Sequence, residues 1–338
     1  MPLYGGIDLH ANNSVVVLFD EQDHVVYQKR LPNDLPSILQ QLSPYHASLH
    51  GVVVASTSNW YWLVDGLMER GYVVHVANTA AIQQYAGLKY TDDHSDARWL
   101  AHLLRLGVLP TGYIYPKEGR AVRDLLRKRT QLVQHKTTHV LSIQNLFTRN
   151  TGGSISSNRI KQLTAEDIDA LLPEPELALA VKSNLAVMRC LETPIAAITQ
   201  TVTQRVKLRV EFQDLLTVSG IGQILARTIM LETGDIRRFP AVGNFASSCR
   251  CVGSQKLSHG KRKGTGNTKH GNKYLAWACV EAAHFAVRDN PCIKRFSQRK
   301  HAKTNTTVAT KAVAHTLARA CFYILRAQVP FDVRKACQ

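Results

Sequence analysis

Residues 50–57, HGVVVAST, carry three consecutive valines with no polar residue between them. A half-exposed strand alternates apolar and polar side chains, so an uninterrupted run predicts a strand buried on both faces. Such a strand belongs in a sheet flanked by helices. The neighbouring segments fit that frame. YGGIDLH and SVVVLFD read as strands around a polar turn at 11–13, and HVVYQKRL reads as a third. PSILQQLS suits a short helix with proline at its first position. NWYWLVDGLMERG reads as a helix closed by Gly71, and YVVHVAN as another strand.

Three opening strands followed by alternation give the order of an RNase H-like (RuvC-like) α/β domain with a mixed sheet, assigned to residues 1–112. From about residue 117 strand signals fade and the rest reads as all-α. EGRAVRDLLRKRTQLVQHKTTHVLSIQNLF aligns Val122, Leu125, Val140 and Ile143 on one stripe, with Arg127, Lys128, Arg129 and Lys136 mostly away from it. A second helical pattern over 176–208 repeats Val181, Met188, Ile195 and Val202 at heptad spacing, with a kink expected at Pro194. These long helices, over 113–209, pair as an intramolecular hairpin or as a coiled coil between subunits. Residues 210–330 form a third, mainly helical region. It opens with a helix-hairpin-helix pattern, EFQDLLTVSGIGQILARTIMLETG, whose Gly220 and Gly222 turn offers N–H groups to a phosphate.

Charge indicates the partner. Lys+Arg 42 against Asp+Glu 25 gives a formal net charge of +17, the balance of a chain that binds a polyanion. No apolar run reaches the roughly 18–20 residues of a membrane span. The segment MPLYGGIDLH lacks the basic and apolar regions of a signal peptide. Seven cysteines without a CxxC pair read as reduced thiols in a cytoplasmic protein and supply no zinc framework. Nucleic acid is the leading partner class.

KYTDDHSDARWLAHLL crowds Asp92, Asp93 and Asp96 at the start of a helix. Capping is one explanation, because acids in a first turn satisfy free N–H groups. A cation site is the other, because carboxylates this close repel unless something offsets them. Metal-dependent cleavage of the RNase H-like kind needs acids from the first strand, the end of a central strand and a later helix. Asp8, between Ile7 and Leu9, meets the first need, and Asp93 and Asp96 meet the third from one helix side. The central strand ends in Ala55, where an acid is required.

The C-terminal stretch LSHGKRKGTGNTKHGNKYLAWA joins Ser258 and several glycines to Lys261, Arg262, Lys263, Lys269 and Lys273, with Lys256 just before. Freed backbone N–H groups, a helix start near Asn272 and these cations together suit phosphate binding. The segment lacks the ending of a P-loop.

Asp8 in GIDLH, STSNWYWLVDGL and TDDHSDARWLAHLLRLG together resemble the DEDD transposases of the IS110 family, IS1111 group, to which Piv-type DNA invertases are related. The resemblance continues through GDIRRFPAVGNFASSCRCVGS and GNTKHGNKYLAWA. It implies that the four family acids fall on Asp8, position 55, Asp93 and Asp96, with Asp92 as the register alternative to Asp93. Ala55 then replaces the family glutamate in otherwise intact surroundings, as in a single acid-to-alanine change, introduced or natural. Weak metal binding and little strand cleavage follow. The resemblance also implies Mg²⁺ (or Mn²⁺) at the acids and a serine nucleophile at Ser258, with Ser254 as the alternative because His259 separates Ser258 from Gly260. It further implies a noncoding guide RNA that pairs with donor and target DNA, and homodimers that assemble into a tetramer. Two other readings stand beside it: a Holliday-junction resolvase-like nuclease using metal-activated water, and a nucleic-acid-binding protein without catalysis.

Overall fold

A computed structural model describes residues 1–55, 59–82, 92–206, 210–253, 256–264 and 270–331. The chain divides into two compact units, Met1–Lys117 and Glu118–Gln338, where the sequence suggested three regions.

The first unit is a five-stranded mixed sheet in the order β3-β2-β1-β4-β5. Its strands are β1 (Leu3–Leu9), β2 (Asn13–Phe19), β3 (Val25–Pro32), β4 (Leu49–Ala55) and β5 (Val74–Ala77). β1 to β3 form an antiparallel meander, while β4 runs parallel to β1 and β5 parallel to β4. Among the described residues the α-helices that accompany the sheet are α1 (Leu35–Leu42), α2 (Tyr61–Glu69) and α3 (Asp93–Arg105). Ile7, Leu9, Val52 and Val54 turn to one face and pack with Ile38, Leu42, Leu63 and Leu67 of α1 and α2. Each such fully buried aliphatic contributes about 1.5–3 kcal/mol. The alternate residues face α3, where Ala97 and Ala101 join Val15 and Val17, and Leu100 joins Val53 and Ala55.

Gly6 sets how closely α3 can approach. A Cβ on it would lie 2.0 Å from the Ala97 carbonyl oxygen and 2.9 Å from the Ala101 nitrogen. The helix backbone therefore rests directly on β1, and only glycine on the strand opposite alanines four apart on the helix permits it.

Among its described residues the second unit is helical except for one hairpin. Its helices are α4 (Lys117–Thr151), α5 (Ser157–Gln162), α6 (Ala165–Leu171), α7 (Pro175–Cys190), α8 (Glu192–Val206), α9 (Val210–Leu216), α10 (Gln223–Thr233), α11 (Val242–Ser248), α12 (Lys273–Asp289), α13 (Pro291–Lys303) and α14 (Thr306–Ala327). The long pattern over 176–208 carries the interruption expected at Pro194: α7 and α8 are separated by Leu191 alone, which keeps right-handed helical φ and ψ of −71° and −18°. Pro194 has no N–H for the Cys190 carbonyl and its ring crowds that turn, so α7 ends at Cys190. Val181, Leu185 and Met188 of α7 pack with Val140 and Ile143 of α4, so within one chain this seam is already filled. A larger core joins Phe212, Leu225, Phe245, Leu275, Leu317 and Phe322 from α9 to α14.

The basic segment read as a loop contains two short strands, β6 (Lys256–Ser258) and β7 (Lys261–Gly264), paired antiparallel. Ser258 pairs with Lys261, leaving a two-residue turn of His259 and Gly260, with φ of 50° and 72°. That is the left-handed pair a tight hairpin demands. Among the described residues no helix is long and apolar enough to cross a membrane.

Candidate functional site

Alternation along β1 brings Gly6, Asp8 and His10 to the α3 side of the sheet. Asp8 is 8% exposed. The Ile7–Val54 pair is followed on each strand by Asp8 and Ala55, so these two are parallel neighbours. Ala55 is 5% exposed and packs with Leu100 of α3.

The start of α3 divides its three acids between two tasks. Asp92 is the N-cap: its Oδ1 accepts the Ser95 N–H at 2.7 Å, and the Ser95 hydroxyl accepts the Asp92 N–H at 2.8 Å. The capping bonds hold the Asp92 carboxyl below its ordinary range. Asp93 turns to β1. Its Oδ1 lies 3.2 Å from His10 Nε2, which in turn lies 3.1 Å from Asp8 Oδ2. Arg30 of β3 donates from Nη2 to Asp93 Oδ2 at 2.5 Å and from Nη1 to Asn13 Oδ1 at 2.8 Å. Asp96 is half-buried beside them, and its charge raises Asp8.

The acids of the cluster do not share one electrostatic environment. Burial pushes the Asp8 carboxyl up, His10 opposes this, and the charges of Asp96 and Asp93 add to it. Burial and the same neighbours raise Asp96. Asp93 moves the other way, because the Arg30 hydrogen bond favours its charged form.

One nitrogen and two carboxylate oxygens, from His10, Asp8 and Asp93, lie within 4.8 Å of one another. His10 Nε2 is buried and hydrogen-bonded to neither oxygen despite the short distances. One imidazole nitrogen and two carboxylate oxygens this close are a donor set that could hold a divalent cation. The His10 carbonyl is fixed from behind by Asn33 Nδ2 at 2.8 Å and Asn59 Nδ2 at 3.0 Å. Sequence reasoning selected Asp8, Asp93 and Asp96 but passed over His10. Its signal was available: in DLH, the histidine two residues after Asp8 shares its face of the strand.

In the second unit Ser258 closes β6, half-buried, with its Oγ 3.2 Å from His259 Nδ1. Lys261 and Lys263 follow on β7, both exposed. Of Lys256 and Arg262 only the backbone is described, and Ser254 and Lys269 lie outside the described residues. Lys273 is the first residue of α12, its Nζ 5.1 Å from the Tyr274 ring centre.

The cations of α4 differ in how far they are already engaged. Arg127 donates to both oxygens of Glu232, at 2.6 and 2.7 Å, and that carboxylate, 4% exposed, also accepts from Asn272 Nδ2 at 2.6 Å. Burial works against the Arg127 charge, but Glu232 outweighs it and raises the guanidinium above its usual range. Arg127 thus ties α4 to α10 and the start of α12. Lys136 is paired with Glu192 at 2.6 Å. Lys128 is exposed and lines an open groove of about 660 Å³ with His135, Lys273, Tyr274 and Trp277. Gly220 has φ 86°, and a Cβ there would meet the Ala282 carbonyl of α12 at 2.3 Å, so this glycine seats the hairpin turn on α12.

Residues 5–150 match the family model described as a transposase of the DEDD, IS110 type. Residues 213–298 match the model of the transposase IS116/IS110/IS902 family. The chain is also 26% identical over 229 residues to a protein of Sinorhizobium fredii (strain NBRC 101917 / NGR234) named "Putative transposase y4qE". That alignment covers 66% of this chain and 55% of the relative, so the chain spans about half the relative's length.

Proposed function

We propose that this chain, two segments of which match transposases of IS110 type, is the RNA-guided recombinase of an insertion sequence. In this reading it cuts and exchanges DNA strands through a serine-linked intermediate. The observation that carries the proposal is the convergence of Asp8, His10 and Asp93 beside Ala55 on one face of the sheet. The strand order supports an RNase H-like, RuvC-like assignment of the first unit.

Asp8 and Asp93, with Asp96 alongside and His10 as a nitrogen donor, would hold Mg²⁺ or Mn²⁺. Such a cation, when bound, supplies charge to a phosphodiester under attack. Arg30 keeps Asp93 ionised and oriented, while Asp92 holds the end of α3 so that Asp93 faces β1. At Ser258, Oγ attacks phosphorus as its proton passes to His259 Nδ1. One phosphorus–oxygen bond forms and one breaks, and the departing deoxyribose oxygen takes the proton. A hydroxyl from another strand then attacks the serine phosphodiester, releasing Ser258 and completing exchange. Lys261 and Lys263 supply charge near the phosphate.

Ala55 leaves the acid set one carboxylate short, so this chain cleaves weakly or not at all. The same residue favours a second reading, an RNA- and DNA-binding protein without catalysis. The noncoding RNA of the element pairs with donor and target DNA while the protein grips backbones. Homodimers that join as a tetramer would bring the strands together in the cytoplasm, at the nucleoid.

Strand exchange with cognate RNA, donor and target DNA and Mg²⁺ separates these readings. Ala55→Glu is expected to restore exchange with a protein–DNA linkage, and Ala55→Glu/Ser258→Ala to lose both. If Ala55→Glu restores nothing while RNA still binds, the chain is a binding protein. Exchange or cutting that survives without Ser258 assigns the chemistry to water, as in a junction resolvase.

A further inference from the structure

A groove of about 660 Å³ in the second unit is walled by one face each of α4 and α12. Lys128, Gln131 and His135 line it from α4 at spacings of three and four, and Lys273 and Trp277 stand four apart on α12. Each helix thus turns one stripe toward the space. The volume lies in the roughly 300–1,000 Å³ range of clefts that hold a small organic group. Both lysines are exposed, and among the described residues neither meets a carboxylate. Lys128 Nζ donates to Gln131 Oε1 at 2.9 Å, and Lys273 Nζ lies 5.1 Å from the Tyr274 ring centre. The carboxylate among the described lining residues, Asp124, lies 3.4 Å from Arg123 Nη2 and 3.7 Å from Arg127 Nη1.

The aromatic side of the groove is held in place from below. The Arg127 guanidinium lies 4.7 Å from the Tyr274 ring centre, and Glu232 fixes Arg127 through both of its oxygens. Trp277, one turn further along α12, is half-buried: part of the indole packs against the helical core and the rest lines the groove. Cations alone would suit any phosphate. The indole adds a demand for a flat apolar surface, and ring stacking meets that demand. Gln131 and Gln134, both exposed in the lining, carry amides that donate and accept, as the edge of a base requires. Within a duplex the faces of each base are covered by its neighbours, so a protein ring stacks on an unpaired base.

We propose that the groove between α4 and α12 is a subsite for an unpaired nucleotide, whose base stacks on Trp277 while Lys128 and Lys273 hold the flanking phosphates. A loop of a folded RNA and a displaced DNA strand offer the same chemistry. The subsite rests on the reading of this chain as one that acts on nucleic acid, and adds a contact to a base where that reading has only a grip on backbones.

Full-length protein, Trp277→Leu, Trp277→Phe and Lys128→Gln are titrated at several salt concentrations against short labelled single strands of RNA and of DNA and against a blunt DNA duplex, by fluorescence anisotropy. Trp277→Leu is expected to bind a single strand about tenfold more weakly, the scale of one lost stacking contact, and the duplex as the parent does. Trp277→Phe keeps a ring and should bind nearly as the parent. Lys128→Gln should lose about 0.7 from the log–log salt slope on single strands. A saturating single strand should quench the indole fluorescence of the parent more than that of Trp277→Phe. A loss confined to RNA or to DNA identifies the strand that carries the base. If Trp277→Leu melts below the parent, the quenching difference and the Lys128→Gln slope decide, since neither of those variants empties the core. Equal losses on single strand and duplex would overturn the subsite, as would parent-like affinity, quenching and slope in every variant. A parent that binds duplex but no single strand overturns it too. A parent that binds no probe contradicts the nucleic-acid reading itself, and the subsite falls with it.

Discussion

Asp8 and Asp93 titrate in opposite directions, and each direction has a measurable consequence. The Asp8 carboxyl is raised above its ordinary 3.8 by burial. A raised acid stabilises the fold fully below its unfolded value and loses that contribution as pH climbs through the folded one. The metal-free protein is therefore expected to lose melting temperature on going from about pH 4 to neutrality. Asp8→Asn should abolish that loss and melt higher at pH 7, by about 2–4 °C for each kcal/mol recovered. Asp93, lowered by Arg30, gives stability that is present above its unfolded value and lost as pH falls through the folded one. Arg30→Gln should remove that acid-side protection. At this scale Asp8 and the crowded aspartates stood out in the sequence. What it could not divide was capping from site. One turn of helix geometry gives Asp92 to Ser95 and sends Asp93 to His10.

The elements decide whether those side chains meet. α3 lies on β1 because Gly6 opposes Ala97 and Ala101. Gly6→Ala should push the helix outward, costing about 3 kcal/mol or more, and divalent cations should then no longer raise the melting temperature. Gly220→Ala places a Cβ against the α12 backbone at φ 86° and should destabilise the second unit while leaving cation protection of the first intact. Both glycines lie in motifs visible in the sequence, GGID and SGIG, but a motif does not show which backbone crosses it. Chain order and the buried run of β4 made the sheet legible. The hairpin β6–β7 was not, because strands of three and four residues rich in lysine carry no apolar alternation. The interruption after Cys190 was legible, since Pro194 has no N–H to give the Cys190 carbonyl.

Across the whole molecule, an excess of +17 sets the terms of association. Binding of DNA or RNA should weaken about a thousandfold between about 50 and 200 mM salt if some six phosphates are neutralised. Because Ala55 is a buried residue at the end of β4, Ala55→Glu should leave that salt dependence unchanged. Composition pointed to a polyanion partner, whereas the pairing of Arg127 with Glu232 and Lys136 with Glu192 joins residues 105 and 56 positions apart and left no local trace.

In the proposed reading the acids on the α3 face form a cation site made deficient by Ala55. Titration of Mn²⁺ followed by the magnetic resonance signal of the free ion, in the parent, Ala55→Glu and Ala55→Glu/Asp8→Asn, tests it most directly. Weak binding in the parent, at least tenfold tighter binding with Glu at 55 and its loss with Asn at 8 are predicted. The same affinity in all three proteins would contradict the claim and leave the aspartates of α3 as a helix cap and its neighbours.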